Sequence, residues 1–135
     1  MADLGPTESW RLLADEPGAV LVDVRTPAEW SYVGVPDLAA LGKAPVFVPW
    51  QSYPAMAVNP SFADDLARNG VTLDAPVIFL CRSGARSAAA AALMTARGFR
   101  RCYNLAGGFE GPLDAAGHRG AAAGWKAAGL PWKQT

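Results

Sequence analysis

The chain has 135 residues, enough for one compact domain built on one core. Lysine plus arginine equals aspartate plus glutamate at 12 each, so there is no basic field to recruit nucleic acid or an anionic membrane surface. Apolar residues make up 51%, enough for a buried sheet, while 14 glycines and 11 prolines divide the rest into short elements with many turns, as in an ordinary globular module. Met1-Ala2-Asp3-Leu4-Gly5 lacks the basic stretch and apolar run of a signal peptide. No segment reaches the ~20 apolar residues of a membrane span; even residues 88–94 are bounded by Arg86 and Arg97. The expectation is a soluble, cytoplasmic protein forming a single domain over residues 1–135. Cys81 and Cys102 are too few for a disulfide framework or a zinc cluster, and His118 stands apart from both. No metal or organic cofactor is expected, and in a reducing compartment both thiols are free.

Short β-rich runs alternate with helical patterns, the signature of an α/β sheet. Gly5-Pro6 predicts a helix carrying Glu8, Trp10, Leu12 and Leu13, with proline at the first position, where its missing N–H costs nothing. Residues 19–24 read as a buried strand. Thr26-Pro27-Ala28-Glu29 has capping-box spacing and predicts a short helix. Residues 46–48 form a second strand, stopped by Pro49, and residues 50–58 a surface loop. Asn59-Pro60 predicts another capped helix, with Phe62 and Leu66 on its apolar face and Gly70 at its end. Residues 77–80, the most continuous apolar run, are a central strand buried on both faces and ending at Cys81. A helix over 84–97 closes at Gly98, a last strand occupies 103–105, and Ala106-Gly107-Gly108 turns the chain. Beyond Gly111, helix is expected only around 120–128.

Leu80-Cys81-Arg82-Ser83-Gly84-Ala85-Arg86-Ser87 sets a cysteine at the carboxyl end of a buried strand, before a small-residue loop and a helix start. Ligands bind at that edge of open α/β sheets. Successive N–H groups in such a turn can form an anion-binding nest, to which the helix N-terminus adds partial positive charge. Arg82 and Arg86 bring full positive charges to the same region, so the arrangement favours a reactive thiolate above an anion cradle. A merely structural cysteine does not call for these neighbours. Cys102 has no loop behind it and reads as core filler rather than a redox partner. On a parallel strand it should lie on the order of 10 Å or more from Cys81, too far for a disulfide.

The segment Cys81-Arg82-Ser83-Gly84-Ala85-Arg86-Ser87 resembles the active-site loop of rhodaneses. Further segments resemble the same family in the same order. They are Leu21-Val22-Asp23-Val24-Arg25 with Pro27 and Glu29, then Arg97-Gly98-Phe99, Asn104-Leu105-Ala106-Gly107-Gly108 and Gly129-Leu130-Pro131-Trp132. The likeness therefore runs from about Val20 to the end. It implies an α/β fold with a mostly parallel five-stranded sheet and helices on both faces. It also implies a sulfurtransferase whose cysteine becomes a persulfide. Carried over by position, Cys81 is the catalytic sulfur acceptor, the N–H groups of Arg82, Ser83, Gly84, Ala85, Arg86 and Ser87 cradle the outer sulfur, and Arg82 and Arg86 bind the donor's oxyanion. Thiosulfate is the type of donor implied; cyanide, a thiol or a protein is the type of acceptor. The chain departs from the family in having Val33-Gly34-Val35-Pro36-Asp37 where a Gly-His-Ile-Pro-Gly run is usual, and in an insertion at 111–120 before Trp125.

Asp23 and Arg25 end a strand on the same sheet edge as Cys81 and are candidates to support the loop. Asp23 either orients the loop or joins a structural ion pair, and Arg25 either pairs with Glu29 at the site or forms a structural pair and turn. Trp50, Gln51 and Tyr53 either wall the pocket or pack at its rim, and exposed tryptophans make an interface possible. His118 reads as an exposed turn residue. Two rival functions are a persulfide carrier or regulatory module for one protein partner, and a cysteine-dependent phosphatase or arsenate reductase. The latter loops carry one more residue between cysteine and arginine than the Arg82-Ser83-Gly84-Ala85 found here.

Overall fold

The structure is a computed structural model that describes residues 2–52, 55 and 57–134. Strand β1 (Ala2–Leu4) leads into helix α1 (Pro6–Asp15), which opens with proline as expected. Strand β2 (Val20–Asp23) precedes α2 (Pro27–Val33), where the Thr26 hydroxyl accepts the Glu29 N–H and Glu29 Oε1 accepts the Thr26 N–H. The capping box is therefore formed as its spacing requires. Then come β3 (Val35–Pro36), β4 (Val46–Phe47), β5 (Gln51–Ser52), β6 (Ala57–Val58) and α3 (Phe62–Arg68). The chain continues through β7 (Pro76–Leu80), α4 (Ala85–Ala96), β8 (Arg101–Leu105) and β9 (Trp132–Lys133).

Five strands form one parallel sheet in the order β1-β8-β7-β2-β4. All five residues of the central β7 are buried, which explains its unbroken apolar sequence. Side chains alternate across the sheet. Val22, Val77 and Phe79 pack with Phe62 and Leu66 of α3 and with Ala90, Ala91 and Met94 of α4. Leu21, Ile78 and Leu80 face the other way, against Leu13 of α1, Leu38, Phe109 and Trp125. Because every strand of a parallel sheet points the same way, the residues following β2, β4, β7 and β8 gather at one edge. No helix among the described residues is long and apolar enough to cross a membrane, and no group of three or more potential metal ligands occurs among them.

Several local expectations are corrected. Residues 50–58 are not a plain surface loop: β5 and β6 pair as an antiparallel ribbon, and Trp50 is buried edge-on against Phe62. Tyr53 lies outside the described residues. Asn59 does not cap α3; it accepts the Ser61 N–H, and the helix begins two residues later than that placement implied. No helix forms over 120–128. Gly124 has φ 97°, a left-handed conformation that interrupts a helix, and a Cβ there would lie 2.6 Å from Gly108 O. The tryptophans are mostly enclosed, with Trp50 and Trp125 buried and Trp132 exposed.

Candidate active site

Cys81 follows the last residue of β7 and shares the α3–α4 face of the sheet, with its residue surface 1% exposed. Its Sγ accepts the Gly84 N–H at 3.1 Å and lies 3.2 Å from Ser87 Oγ. Ala85, Arg86 and Ser87 form the first turn of α4, where N–H groups have no intrahelical acceptor and the helix end is partially positive. The sulfur therefore faces the Gly84 N–H and the N-terminal turn of α4.

The loop takes this shape because its carbonyls are held from behind. Cys81 O accepts the Phe109 N–H at 2.8 Å, and Arg82 O accepts those of Glu110 and Gly111 at 3.0 and 3.1 Å. That turn is supported in its turn by residues near the C-terminus: Trp125 N–H donates to Gly108 O and Lys126 N–H to Phe109 O, at 2.8 and 3.1 Å. The 111–120 segment is tied to the same place, since the Arg119 guanidinium donates to Gly111 O at 2.8 Å and Gly120 N–H donates to Glu110 O. His118 is exposed in a turn closed by Asp114, whose carboxylate accepts the His118 and Ala116 N–H groups.

The two loop arginines differ. Arg82 is exposed, and its guanidinium has no hydrogen-bond or ion-pair partner among the described residues. Arg86 is mostly buried and makes a two-pronged bond to Glu29, at 2.6 and 2.9 Å. Arg25 does not pair with Glu29. It donates to Asp23 at 2.7–3.2 Å and to Gly34 O at 2.9 Å, and its guanidinium lies 4.4 Å from the Phe109 ring centroid. Asp23 and Arg25, both fully buried, are a structural pair beneath the turn that holds the loop. Gln51 borders a cavity of about 390 Å³ on the same sheet edge, with Thr26, Pro27, Ala28, Pro49 and Ser52, whereas Trp50 belongs to the core.

Burial by itself pushes the Glu29 carboxyl up, but the hydrogen bonds and charge of Arg86, with the Thr26 contacts, outweigh it and hold the group below its ordinary 4.5. Its charge thus stabilises the fold above the ordinary carboxylate range, and that contribution disappears as pH falls through the depressed folded value. For a partly buried pair, Glu29→Gln is expected to cost roughly 2 kcal/mol at neutral pH, between the exposed and fully buried cases. Denaturant unfolding of both proteins should show this gap closing on acidification below 4.5. A gap that persists in acid would mean the loss is not electrostatic.

Cys81 and Cys102 are both free. Val77 is the register partner of Cys102, so Cys81 lies about 13 Å further along the sheet. Burial pushes the Cys102 thiol above its ordinary value, which suits a core residue. Sequence reasoning missed two neighbours of the loop: Glu29 as partner of Arg86, and Asn104, whose Oδ1 is 2.5 Å from Ser87 Oγ.

A parallel α/β sheet that delivers one buried cysteine into a loop of backbone donors defines a cysteine-loop protein of rhodanese fold. The chain belongs to the rhodanese-like sulfurtransferase family; residues 5–135 match the family model described as the STR4 middle domain. The protein RC0915 of Rickettsia conorii is 38% identical over 128 residues, covering 94% of this chain and 93% of its own length. Thiosulfate sulfurtransferase GlpE of Pseudomonas syringae is 35% identical over 105 residues, covering 78% of this chain and 81% of its own length. Among solved structures, Rv0390 from M. tuberculosis is 50% identical with a TM-score of 0.90, covering 100% of this chain and 98% of that one. The polysulfide-sulfur transferase homodimer from Wolinella succinogenes is 26% identical with a TM-score of 0.67, covering 100% of this chain and 80% of that one.

Proposed function

We propose that the protein moves a sulfane sulfur from a donor such as thiosulfate to a thiophilic acceptor through a persulfide on Cys81. The observation that carries this reading is the Cys81 sulfur seated against the Gly84 N–H and the first turn of α4. Cys81 thiolate attacks the outer sulfur of thiosulfate, the Sγ–S bond forms, and sulfite leaves with the electrons of the broken S–S bond. An acceptor such as cyanide or a thiol then attacks the outer persulfide sulfur and restores the thiolate. The loop serves both stages by stabilising negative sulfur. Arg82 is the arginine available to meet the donor's oxyanion; Arg86, held by Glu29, ties the loop to α2. The free thiols fit a reducing compartment, and we assign the reaction to the cytoplasm.

A second reading, a persulfide carrier for a protein acceptor, is favoured by the deep burial of Cys81, which would let a docked partner control release of the sulfur. Steady-state turnover with thiosulfate and cyanide, run beside candidate protein acceptors, separates the two. Peptide mass spectrometry after thiosulfate treatment, without reductant, should find the added sulfur on Cys81. Sulfur on Cys102, or a disulfide between the two cysteines as main product, would overturn the mechanism.

A further inference from the structure

Ser87 is fully buried and has one hydroxyl proton, yet two acceptors flank it closely: Cys81 Sγ at 3.2 Å and Asn104 Oδ1 at 2.5 Å. Gly84 O is a third, more distant acceptor at 3.3 Å. Asn104 is itself buried on β8, and its register partner on β1 is Asp3. The Asn104 Nδ2 donates to Asp3 Oδ1 at 3.2 Å. An ionised carboxylate only accepts, so this contact fixes the amide with its nitrogen toward Asp3 and its oxygen toward Ser87. The chain Asp3–Asn104–Ser87–Cys81 thus joins an exposed carboxylate on the edge strand to the buried sulfur through three contacts.

Resting on the sulfur-transfer reading above, we propose that Asn104, oriented by Asp3, is a positioning residue whose Oδ1 accepts the Ser87 hydroxyl hydrogen bond when Cys81 carries the transferred sulfur. In the unloaded thiolate, Sγ bears the charge and the Ser87 hydroxyl donates to it. Loading forms the Sγ–S bond, breaks the S–S bond of thiosulfate and releases sulfite with the bonding pair, so the charge moves to the outer sulfur. Sγ is then a neutral, weakly accepting atom, and the hydroxyl turns to Asn104 Oδ1. No proton changes owner; only the O–H direction changes. Without Asn104 the loaded state leaves the hydroxyl with Gly84 O alone, whereas the unloaded state keeps its bond to Sγ. Asn104 therefore shifts the equilibrium toward the persulfide.

The test measures the ratio of persulfidated to unmodified Cys81 at a fixed ratio of thiosulfate to sulfite, by intact-protein and peptide mass spectrometry. Asn104→Leu should lower that ratio about fivefold, the size of one neutral hydrogen bond. Asp3→Ala, on the exposed edge strand, should produce a smaller fall in the same direction, and Asp3→Asn should restore it, because the amide oxygen still accepts from Asn104. In a Ser87→Ala background, Asn104→Leu should have no effect, an outcome that a general loosening of the fold does not give. Equal loading of wild type and Asn104→Leu, or the same fivefold fall in the Ser87→Ala background, overturns the proposal. A wild type that takes up no sulfur at all overturns the sulfur-transfer reading and this inference with it, and is distinct from a wild type and variant that load alike.

Discussion

Replacing Cys81 by serine is expected to abolish sulfur transfer while leaving the fold in place. A serine hydroxyl is not ionised at neutral pH and does not hold a second sulfur, so both half-reactions lose their central atom. The structural cost is small because the serine oxygen can still accept the Gly84 N–H that now reaches Sγ at 3.1 Å. Exchanging one buried small side chain for a smaller polar one that keeps a hydrogen bond should cost about 1–2 kcal/mol. Turnover with thiosulfate and cyanide, read beside a denaturant melt, checks both parts. Activity near wild type in a folded Cys81→Ser protein would remove Cys81 from the mechanism.

The second large effect is expected at Gly108, which lies outside the Cys81–Ser87 loop and packs on its backbone. It has φ 65°, and an added Cβ would lie 2.5 Å from the carbonyl carbon and oxygen of Arg82 and from the Cys81 oxygen. These are backbone atoms, which cannot step aside as the tip of a flexible side chain can. The left-handed conformation alone costs roughly 1–2 kcal/mol with a side chain, and the collision adds to it. Gly108→Ala should therefore lose at least ~3 kcal/mol of stability, with transfer reduced more than tenfold in the protein that remains folded. The second loss arises because the two carbonyls set the direction of the loop N–H groups. Normal turnover per folded molecule would show that the loop keeps its shape without this turn.

Much of this was legible where the controlling interactions are local. Thr26 to Glu29 spans one helical turn, so the capping box needs no tertiary information, and the apolar run at the centre of the sheet announces its own burial. The cysteine, its loop and the helix behind it are contiguous, so the core of the candidate site could be read from one segment. What the sequence hid are partners chosen by the sheet. Glu29 and Arg86 are 57 positions apart, and Ser87 and Asn104 are 17 apart. Arg25 reaches back to Asp23 because residues two apart on an extended chain point the same way, which the helical spacing toward Glu29 concealed. Residues 120–128 carry helix-compatible alanines, but Gly124 and Trp125 are needed in extended contact with the glycine turn, a demand visible only in three dimensions.

The burial of the Cys81 sulfur also makes its reactivity a matter of reach. A thiol enclosed to this degree is expected to meet only molecules that end in a slender tip, with bulky alkylating reagents and large disulfides turned away before chemistry begins. Stepwise oxidation should be slowed as well, since each oxygen added to sulfur needs room beside a residue that belongs to the same core cluster as Val24, Phe79 and Ala90. On the proposed reading, the enclosure that narrows the choice of donors would also shield the thiol between encounters with them.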